Sequence, residues 1–89
     1  MRLEDTAKLM TSEDYKERFI AEYVQAAIRE KRLSLLLSKV KNGEAPSCFT
    51  PTCPIYLLEA QYIAMNKYIY ALLKRAEIEK IELPSIDEI

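Results

Sequence analysis

The fold is decided by residues 12–41, which read SEDYKERFIAEYVQAAIREKRLSLLLSKVK and contain neither glycine nor proline. The stretch is rich in Ala, Leu, Glu, Lys, Arg and Gln, the residues with the best helix propensities. Thr11 followed three residues later by Asp14 resembles an N-terminal capping box, with the serine between them as a competing cap. At the other end, Asn42-Gly43 can adopt the left-handed conformation that closes a helix. The sequence therefore predicts one long helix over about 12–41.

A second helix is predicted over about 54–80, where glycine and internal proline are again absent. Pro54 suits the first helical position, since its missing N–H donor would be unpaired there anyway. Pro84 prevents the helix from continuing. Two long helices joined by a short link predict an antiparallel pair.

The predicted organisation is thus all-α, with one hairpin domain over 11–83. Residues 1–10 precede it as a short helix or arm, and 84–89 follow it as a tail.

Both predicted helices carry more apolar surface than a two-helix pair can bury. At about 100° per residue, each helix has one main apolar stripe, and the first helix has a second apolar face. A helix that is apolar over so wide an arc requires more than one neighbour. We therefore expect the hairpin to assemble as a homo-oligomer. The main stripes are Tyr15, Phe19, Tyr23, Ala26, Leu33, Leu37 and Val40, then Leu57, Ala64, Met65, Tyr68, Ala71 and Leu72; the second face is Ile20, Val24, Ala27, Ile28 and Leu35.

Composition excludes several classes of function. The chain of 89 residues has a net charge of −1, so no global basic field attracts DNA or RNA. It has no histidine and a single glycine, which argues against His-based catalysis and a glycine-rich phosphate loop. We expect no enzyme activity, no metal and no cofactor. Cys48 and Cys53 are predicted to be free thiols in a cytoplasmic protein that does not enter the membrane, although a disulfide could form under oxidising conditions.

Three sets of polar or aromatic residues are candidates for ligand binding. Arg18, Gln25, Arg29 and Arg32 form a stripe whose guanidinium groups could grip phosphates, or could simply form a solvated face. Gln61 and Arg75 lie within the apolar stripe of the second helix, and Glu30 within that of the first. These three polar residues would either fix the register of the two helices through internal hydrogen bonds, with Arg75 bound to Glu22, or form a polar pocket between subunits.

Tyrosines are the third set. A tyrosine beside an arginine suits stacking on a nucleobase, and tyrosine is equally common at protein interfaces.

The run FTPTCP at 49–54, followed by LL..Q..AM..Y...L..RA, resembles a family of small bacteriophage and prophage proteins. In this sequence the pattern places Gln61, Met65, Tyr68 and Arg75-Ala76 on the second helix. The chain is also similar to the phage anti-defence hairpins that act as sponges for the cyclic nucleotide messengers of CBASS and Thoeris immunity. This resemblance implies an oligomeric helical hairpin that sequesters a cyclic nucleotide.

We therefore expect a phage-encoded binding protein whose ligand is a small anion, a cyclic nucleotide. The predicted ligand-binding residues are Arg18, Gln25, Arg29, Arg32, Gln61, Tyr68 and Arg75. The alternative is a phage interaction protein that binds a host or phage protein through an exposed apolar helix face.

Overall fold

The computed structural model describes residues 1–43 and 52–85. They form a single 3-10 turn at Leu3–Asp5, followed by α1 at Thr6–Met10, α2 at Tyr15–Lys41 and α3 at Ile55–Glu79. Neither described range contains a strand. The predicted all-α class is therefore confirmed.

The start of α2 differs from the prediction, because Asp14 and not Thr11 is the N-cap. Asp14 has an extended backbone (φ −81°, ψ 117°), and its carboxylate accepts a hydrogen bond from the Lys16 N–H at 2.9 Å. That bond satisfies one of the free N–H groups of the first turn. Ser12 supports the turn by accepting from the Asp14 N–H at 3.0 Å. The Thr11 hydroxyl instead donates to the Lys8 carbonyl of α1 at 3.4 Å.

The start of α3 is also displaced by one residue from the prediction. Pro54 is the N-cap and not the first helical residue, since its ψ of 144° is extended. Its carbonyl accepts from the Leu57 N–H at 3.0 Å. The helix therefore begins at Ile55.

Both long helices end in a left-handed residue. Gly43 has φ 71°, as predicted for the end of α2 at Lys41. At the end of α3 the left-handed residue is Lys80, with φ 58°. This conformation is unfavourable for any residue with a Cβ atom, because the Cβ crowds the following carbonyl oxygen. The turn there lets the Ile81 N–H donate to the Ala76 carbonyl at 2.9 Å, and the Ile81 side chain is buried. Burial of an apolar residue just after the helix offsets the strained backbone.

The core is built mainly from one half of α2. Its buried residues come from both predicted faces of that helix, whereas α3 contributes only two buried side chains within the described residues. The main cluster is Phe19, Tyr23, Val24, Ala27, Ile28, Leu72, Ala76 and Ile81.

The N-terminal segment packs against α2. Leu3 packs against the core cluster, and Thr6 of α1 is completely buried. The surplus apolar surface predicted for α2 is therefore partly buried within one chain, on Val24, Ala27 and Ile28.

The predicted stripe of α3 is largely outside the core. Leu72 is buried, but Leu57, Ala64, Tyr68 and Ala71 are exposed. Of the α3 side chains, Leu72 and, one helical turn later, Ala76 belong to the core cluster. Ala64 and Tyr68 of this stripe line a groove beside α2.

The hydrogen bonds that join α2 to α3 connect Tyr15 with Arg75 and Glu22 with Tyr68. The early part of α2 thus lies beside the late part of α3. The 27 residues of α2 span roughly 40 Å, close to the longest dimension of the molecule, 44 Å.

Some sequence predictions concern residues outside the described ranges. The link at 44–51, with Cys48, and the end of the tail at 86–89 are among them. Cys53 is described, and its thiol is free and half-buried. The described helices include none that is both long and apolar enough to cross a lipid bilayer.

Candidate functional site

A groove with a volume of about 370 Å³ runs between the middle of α2 and the middle of α3. Each helix contributes four side chains, and most of them are exposed, so the groove opens to solvent. Its lining is Glu22, Gln25, Ala26 and Arg29 of α2 with Gln61, Ala64, Met65 and Tyr68 of α3.

Four of the seven predicted ligand-binding residues meet in this groove: Gln25, Arg29, Gln61 and Tyr68. Gln25 and Arg29 are four residues apart, and Gln61 and Tyr68 are seven apart. Each pair therefore lies on one side of its helix. The structure brings the two sides together because α2 and α3 are in contact at this level.

Arg18 and Arg32 lie outside the groove lining. The Nη1 of Arg18 donates to the Ser12 carbonyl at 2.6 Å, which ties it to the turn before α2. Arg32 lines a separate cavity of about 280 Å³, which also includes Arg2 and Lys31. The three arginines predicted to form one stripe therefore lie in three different environments: Arg18 at the turn before α2, Arg29 in the groove and Arg32 at the separate cavity.

Arg75 also lies outside the lining and contacts three neighbouring side chains. Its Nη2 donates to the Tyr15 hydroxyl at 2.6 Å, and its Nε lies 3.5 Å from a Glu79 carboxylate oxygen. The guanidinium carbon is 4.8 Å from the centre of the Phe19 ring, within cation–π range. The hydrogen bond to Tyr15 and the Glu79 carboxylate together raise the pKa of Arg75. Of the two alternatives drawn from the sequence, the one in which Arg75 binds Glu22 is wrong, because Arg75 contacts Tyr15 and Glu79 while Glu22 accepts from Tyr68.

Glu22 receives a hydrogen bond from the Tyr68 hydroxyl across the groove. This bond is the main cause of a raised pKa of Tyr68, and partial burial and the negative charge of Glu22 add to it. The positive charge of the nearby Arg75 lowers the pKa of Tyr68, but by less than these effects raise it. Tyr68 therefore stays protonated, with its ring against the groove and 46% of its surface exposed.

Gln25 is oriented by the N-terminal segment. The buried Thr6 hydroxyl donates its proton to the Leu3 carbonyl at 2.6 Å, so its oxygen can only accept at Gln25. The amide nitrogen Nε2 of Gln25 donates to that oxygen at 3.0 Å and also contacts the sulfur of Met10. Both contacts are made through the nitrogen, so the carbonyl oxygen Oε1 of Gln25 forms no hydrogen bond among the described residues.

Arg29 is the cation of the groove. Among the described residues it forms no ion pair or side-chain hydrogen bond, so its five N–H donors are available to a ligand. Glu22 lies two turns earlier on the same side of α2. The groove therefore has a positive end and a negative end.

Sequence analysis missed Glu22 as a lining residue, together with the small side chains Ala26 and Ala64. The available signal was the seven-residue spacing of Glu22 and Arg29, which places opposite charges on one helix face. The position of Thr6 as the buried anchor of Gln25 had no signal in the sequence, because it depends on how the N-terminal segment folds back.

A second cavity, of about 380 Å³, lies nearer the C-terminal end of α2. Ser34, Ser38 and Lys41 of α2 line it opposite Glu59 and Tyr62 of α3. None of the predicted ligand-binding residues reaches it. The described residues contain no cluster of three or more acidic or cysteine side chains arranged to hold a metal ion.

The fold and the groove define an all-helical protein with an open polar site between its two long helices. A family model described as Sequestin matches residues 13–78, from just before α2 to the last turn of α3. The chain belongs to the Sequestin family. Neither a curated protein nor a solved structure matches it.

Proposed function

We propose that the chain is a phage-encoded, non-enzymatic binding protein that sequesters a cyclic nucleotide immune signal in the groove between α2 and α3. The observation that carries the proposal is the meeting of Gln25, Arg29, Gln61 and Tyr68 in one groove. The resemblance to phage sponges supports it, as does the family description Sequestin, which names an act of sequestration.

Each groove residue has a role that suits a cyclic nucleotide. The free guanidinium of Arg29 binds a phosphate through two parallel N–H donors. The exposed ring of Tyr68 offers a face for a nucleobase, and such stacking contributes about 1–3 kcal/mol per base. The carbonyl oxygen of Gln25 accepts from a base amino group or a ribose hydroxyl. The side-chain amide of Gln61 can both donate and accept hydrogen bonds.

Glu22 sets the direction in which the ligand lies. Its carboxylate repels phosphate, so the phosphates lie towards Arg29 and the donor-bearing part of the ligand towards Glu22 and Gln25. A carboxylate has room for further donors beside the Tyr68 hydroxyl.

In this proposal α2 and α3 form an antiparallel hairpin, and hairpins assemble into a homo-oligomer. The bonds Tyr15–Arg75 and Glu22–Tyr68 support the antiparallel direction. The exposed apolar residues of α3 support assembly. The groove of one chain is near the lower end of the 300–1,000 Å³ typical of ligand pockets. One chain therefore encloses only part of a cyclic dinucleotide.

Sequestration requires affinity and no turnover. The chain has no histidine, and its function in the host cytosol would be to keep the signal from its receptor.

The test is thermal denaturation of the purified chain with a panel of cyclic dinucleotides and cyclic ADP-ribose isomers. A ligand at a hundred times its Kd stabilises the folded state by about 2.7 kcal/mol, which raises the Tm of a domain this small by roughly 10–20 °C. Arg29→Ala should abolish the shift. Lys31→Ala removes the same charge from α2 outside the groove lining and should preserve it. No shift with any member of the panel would contradict the proposal.

A second candidate function is binding to a host or phage protein through the outer face of α3. Tyr56, Ile63 and Tyr70 are 68%, 57% and 62% exposed and lie seven residues apart, so they form one stripe. An exposed stripe of this kind is typical of a helix that meets a partner. If the panel gives no shift, this stripe is the surface to examine.

A further inference from the structure

A cavity of about 280 Å³ lies on another side of α2, where the N-terminal segment meets that helix. Its α2 residues are spaced i, i+3, i+4 and i+7, which places them on one face of the helix. None of them lines the groove between α2 and α3, so the two sites are separate. The lining is Met1 and Arg2 of the N-terminal segment with Ile28, Lys31, Arg32 and Leu35 of α2.

The cavity is a local concentration of positive charge. Arg2, Lys31 and Arg32 all line it, and no carboxylate of a described residue does, although the whole chain has a net charge of −1. Lys31 and Arg32 form no ion pair or side-chain hydrogen bond among the described residues. Cations around one small cavity repel each other, and a bound anion would offset that repulsion.

The third cation, Arg2, is paired with carboxylates of the turn that follows it. Its Nε lies 3.2 Å from a Glu4 oxygen and 3.9 Å from an Asp5 oxygen. The side chains of Arg2 and Glu4 are 77% and 64% exposed, and an ion pair this exposed contributes little because water screens it. Both contacts are made through Nε, so the terminal Nη groups of Arg2 can bind a ligand as a fork.

An apolar surface lies beside these cations. Ile28 is buried in the core cluster, whereas Leu35, seven residues later on the same face, is 55% exposed. Ligand pockets typically combine apolar walls with a few polar groups that fix the orientation of the ligand. Leu35 can therefore pack against a ring of a ligand whose charged groups are bound by the cations.

The positions of the cations favour a compact anion. Lys31 and Arg32 are adjacent in the sequence, and Arg2 reaches the same cavity from a different element. Two linked phosphates bring several negative charges into one small space, whereas an extended acidic peptide distributes its charges over a longer distance. The volume lies just below the range of about 300–1,000 Å³ that is typical of ligand pockets, so the ligand is small.

We propose that this cavity is a second ligand site, which binds a nucleoside diphosphate. Arg2 and Arg32 hold the two phosphates through paired N–H donors, and Lys31 adds a point charge. The base packs against Leu35. The inference does not depend on the proposed function, because the two sites share no lining residue.

The test is isothermal titration calorimetry of the purified chain with ADP at low ionic strength, where charge interactions are least screened. ADP should bind saturably, with a Kd below about 1 mM. Inorganic pyrophosphate should bind more weakly than ADP, because it has no ring to contact Leu35. Adenosine, which has the ring but no phosphate, should not bind under the same conditions.

Paired variants locate the site on the chain. Lys31→Gln combined with Arg32→Gln should weaken ADP binding at least tenfold. Lys16→Gln combined with Lys39→Gln removes two positive charges from exposed positions of α2 outside both linings and should leave ADP binding nearly unchanged. Leu35→Ala should weaken binding of ADP but not of pyrophosphate. Circular dichroism of each variant checks that the helices are intact.

Three results would overturn the inference. They are an absence of saturable ADP binding, equal weakening by the two pairs of charge changes, and ADP binding that Leu35→Ala leaves unchanged. Vesicles of phosphatidylcholine with phosphatidic acid test a lipid headgroup as the source of the phosphate. Cosedimentation with these vesicles that requires Lys31 and Arg32, in a chain that does not bind ADP, would assign the cations to a membrane surface and overturn the inference.

Failure of the second site and failure of the proposed function are distinguishable. Arg29→Ala should leave ADP binding unchanged, and loss of ADP binding in this variant would place the nucleotide in the groove and overturn the inference. A chain that binds a cyclic nucleotide but not ADP would refute the second site alone. A chain that binds ADP as expected but no cyclic nucleotide would support the second site and refute the proposed function.

Discussion

Replacing Thr6 with valine tests how the N-terminal segment is attached and how Gln25 is oriented. Valine has nearly the same shape as threonine, so the buried space stays filled and only the hydroxyl is lost. Two hydrogen bonds are lost with it, the one to the Leu3 carbonyl at 2.6 Å and the one from Gln25 at 3.0 Å. Each contributes about 1 kcal/mol net, and an unpaired buried partner costs about 1–3 kcal/mol.

Water can reach the half-buried Gln25, so we expect Thr6→Val to lower the free energy of unfolding by about 1–3 kcal/mol. For a domain of this size the Tm falls by roughly 4–8 °C per kcal/mol. Circular dichroism melts and urea titration measure both quantities. Thr6→Ser keeps the hydroxyl and should cost less, and Thr11→Val, on an exposed threonine, should stay within about 0.5 kcal/mol. If Thr6→Val is as stable as the wild type, the buried hydroxyl does not anchor the segment.

Three further predictions follow from the core and the groove. Leu72→Ala leaves a cavity in the core and should lower the free energy of unfolding by about 2–5 kcal/mol. Leu73→Ala, on the exposed side of α3, should lower it much less. Equal losses in urea titration would contradict the described core. The folded state raises the pKa of Tyr68, so its stabilising contribution is present below the unfolded pKa and is lost as pH rises through the folded pKa. The difference in unfolding free energy between the wild type and Tyr68→Phe should therefore shrink above about pH 10. A difference that grows there would mean that folding lowers the pKa of Tyr68. Glu22→Gln removes the charged acceptor for the donor-bearing part of the ligand and should weaken binding of a cyclic nucleotide in calorimetry. Tighter binding would mean that Glu22 acts only by repelling phosphate.

The helices were predictable because their signals are local. A stretch of good helix formers with no glycine or proline predicted α2 over about 12–41, and Gly43 closes it as expected. The exact starts were less predictable. Asp14 and Ser12 compete with Thr11 for the same N–H groups, and propensity does not decide which side chain reaches them.

The core was harder to predict, because it depends on which elements touch. Periodicity identified two apolar faces on α2, and both contribute buried residues. It could not show that the N-terminal segment packs on α2, with Leu3 against the cluster that contains Val24, Ala27 and Ile28. Less apolar surface of α2 is therefore left exposed than the sequence suggests. Periodicity also gave α3 one apolar stripe, but it could not show that Ala64, Met65 and Tyr68 of that stripe line the groove.

The candidate site was predictable in part. Helical spacing grouped Gln25 with Arg29 and Gln61 with Tyr68, and the structure brings these four residues into one groove. The same spacing also grouped Arg18 with them. The structure separates Arg18, because its guanidinium bonds to the turn before α2, a contact that depends on where that helix begins.

We propose that the groove holds a cyclic nucleotide and releases it unchanged. The most direct measurement is calorimetric titration of the purified chain with the panel member that gives the largest thermal shift, followed by heat denaturation and chromatography of the released ligand. We expect saturable binding that Arg29→Ala removes, and we expect the ligand to be recovered intact in the amount bound. Recovery of a cleaved product, or binding that persists in Arg29→Ala, would contradict it.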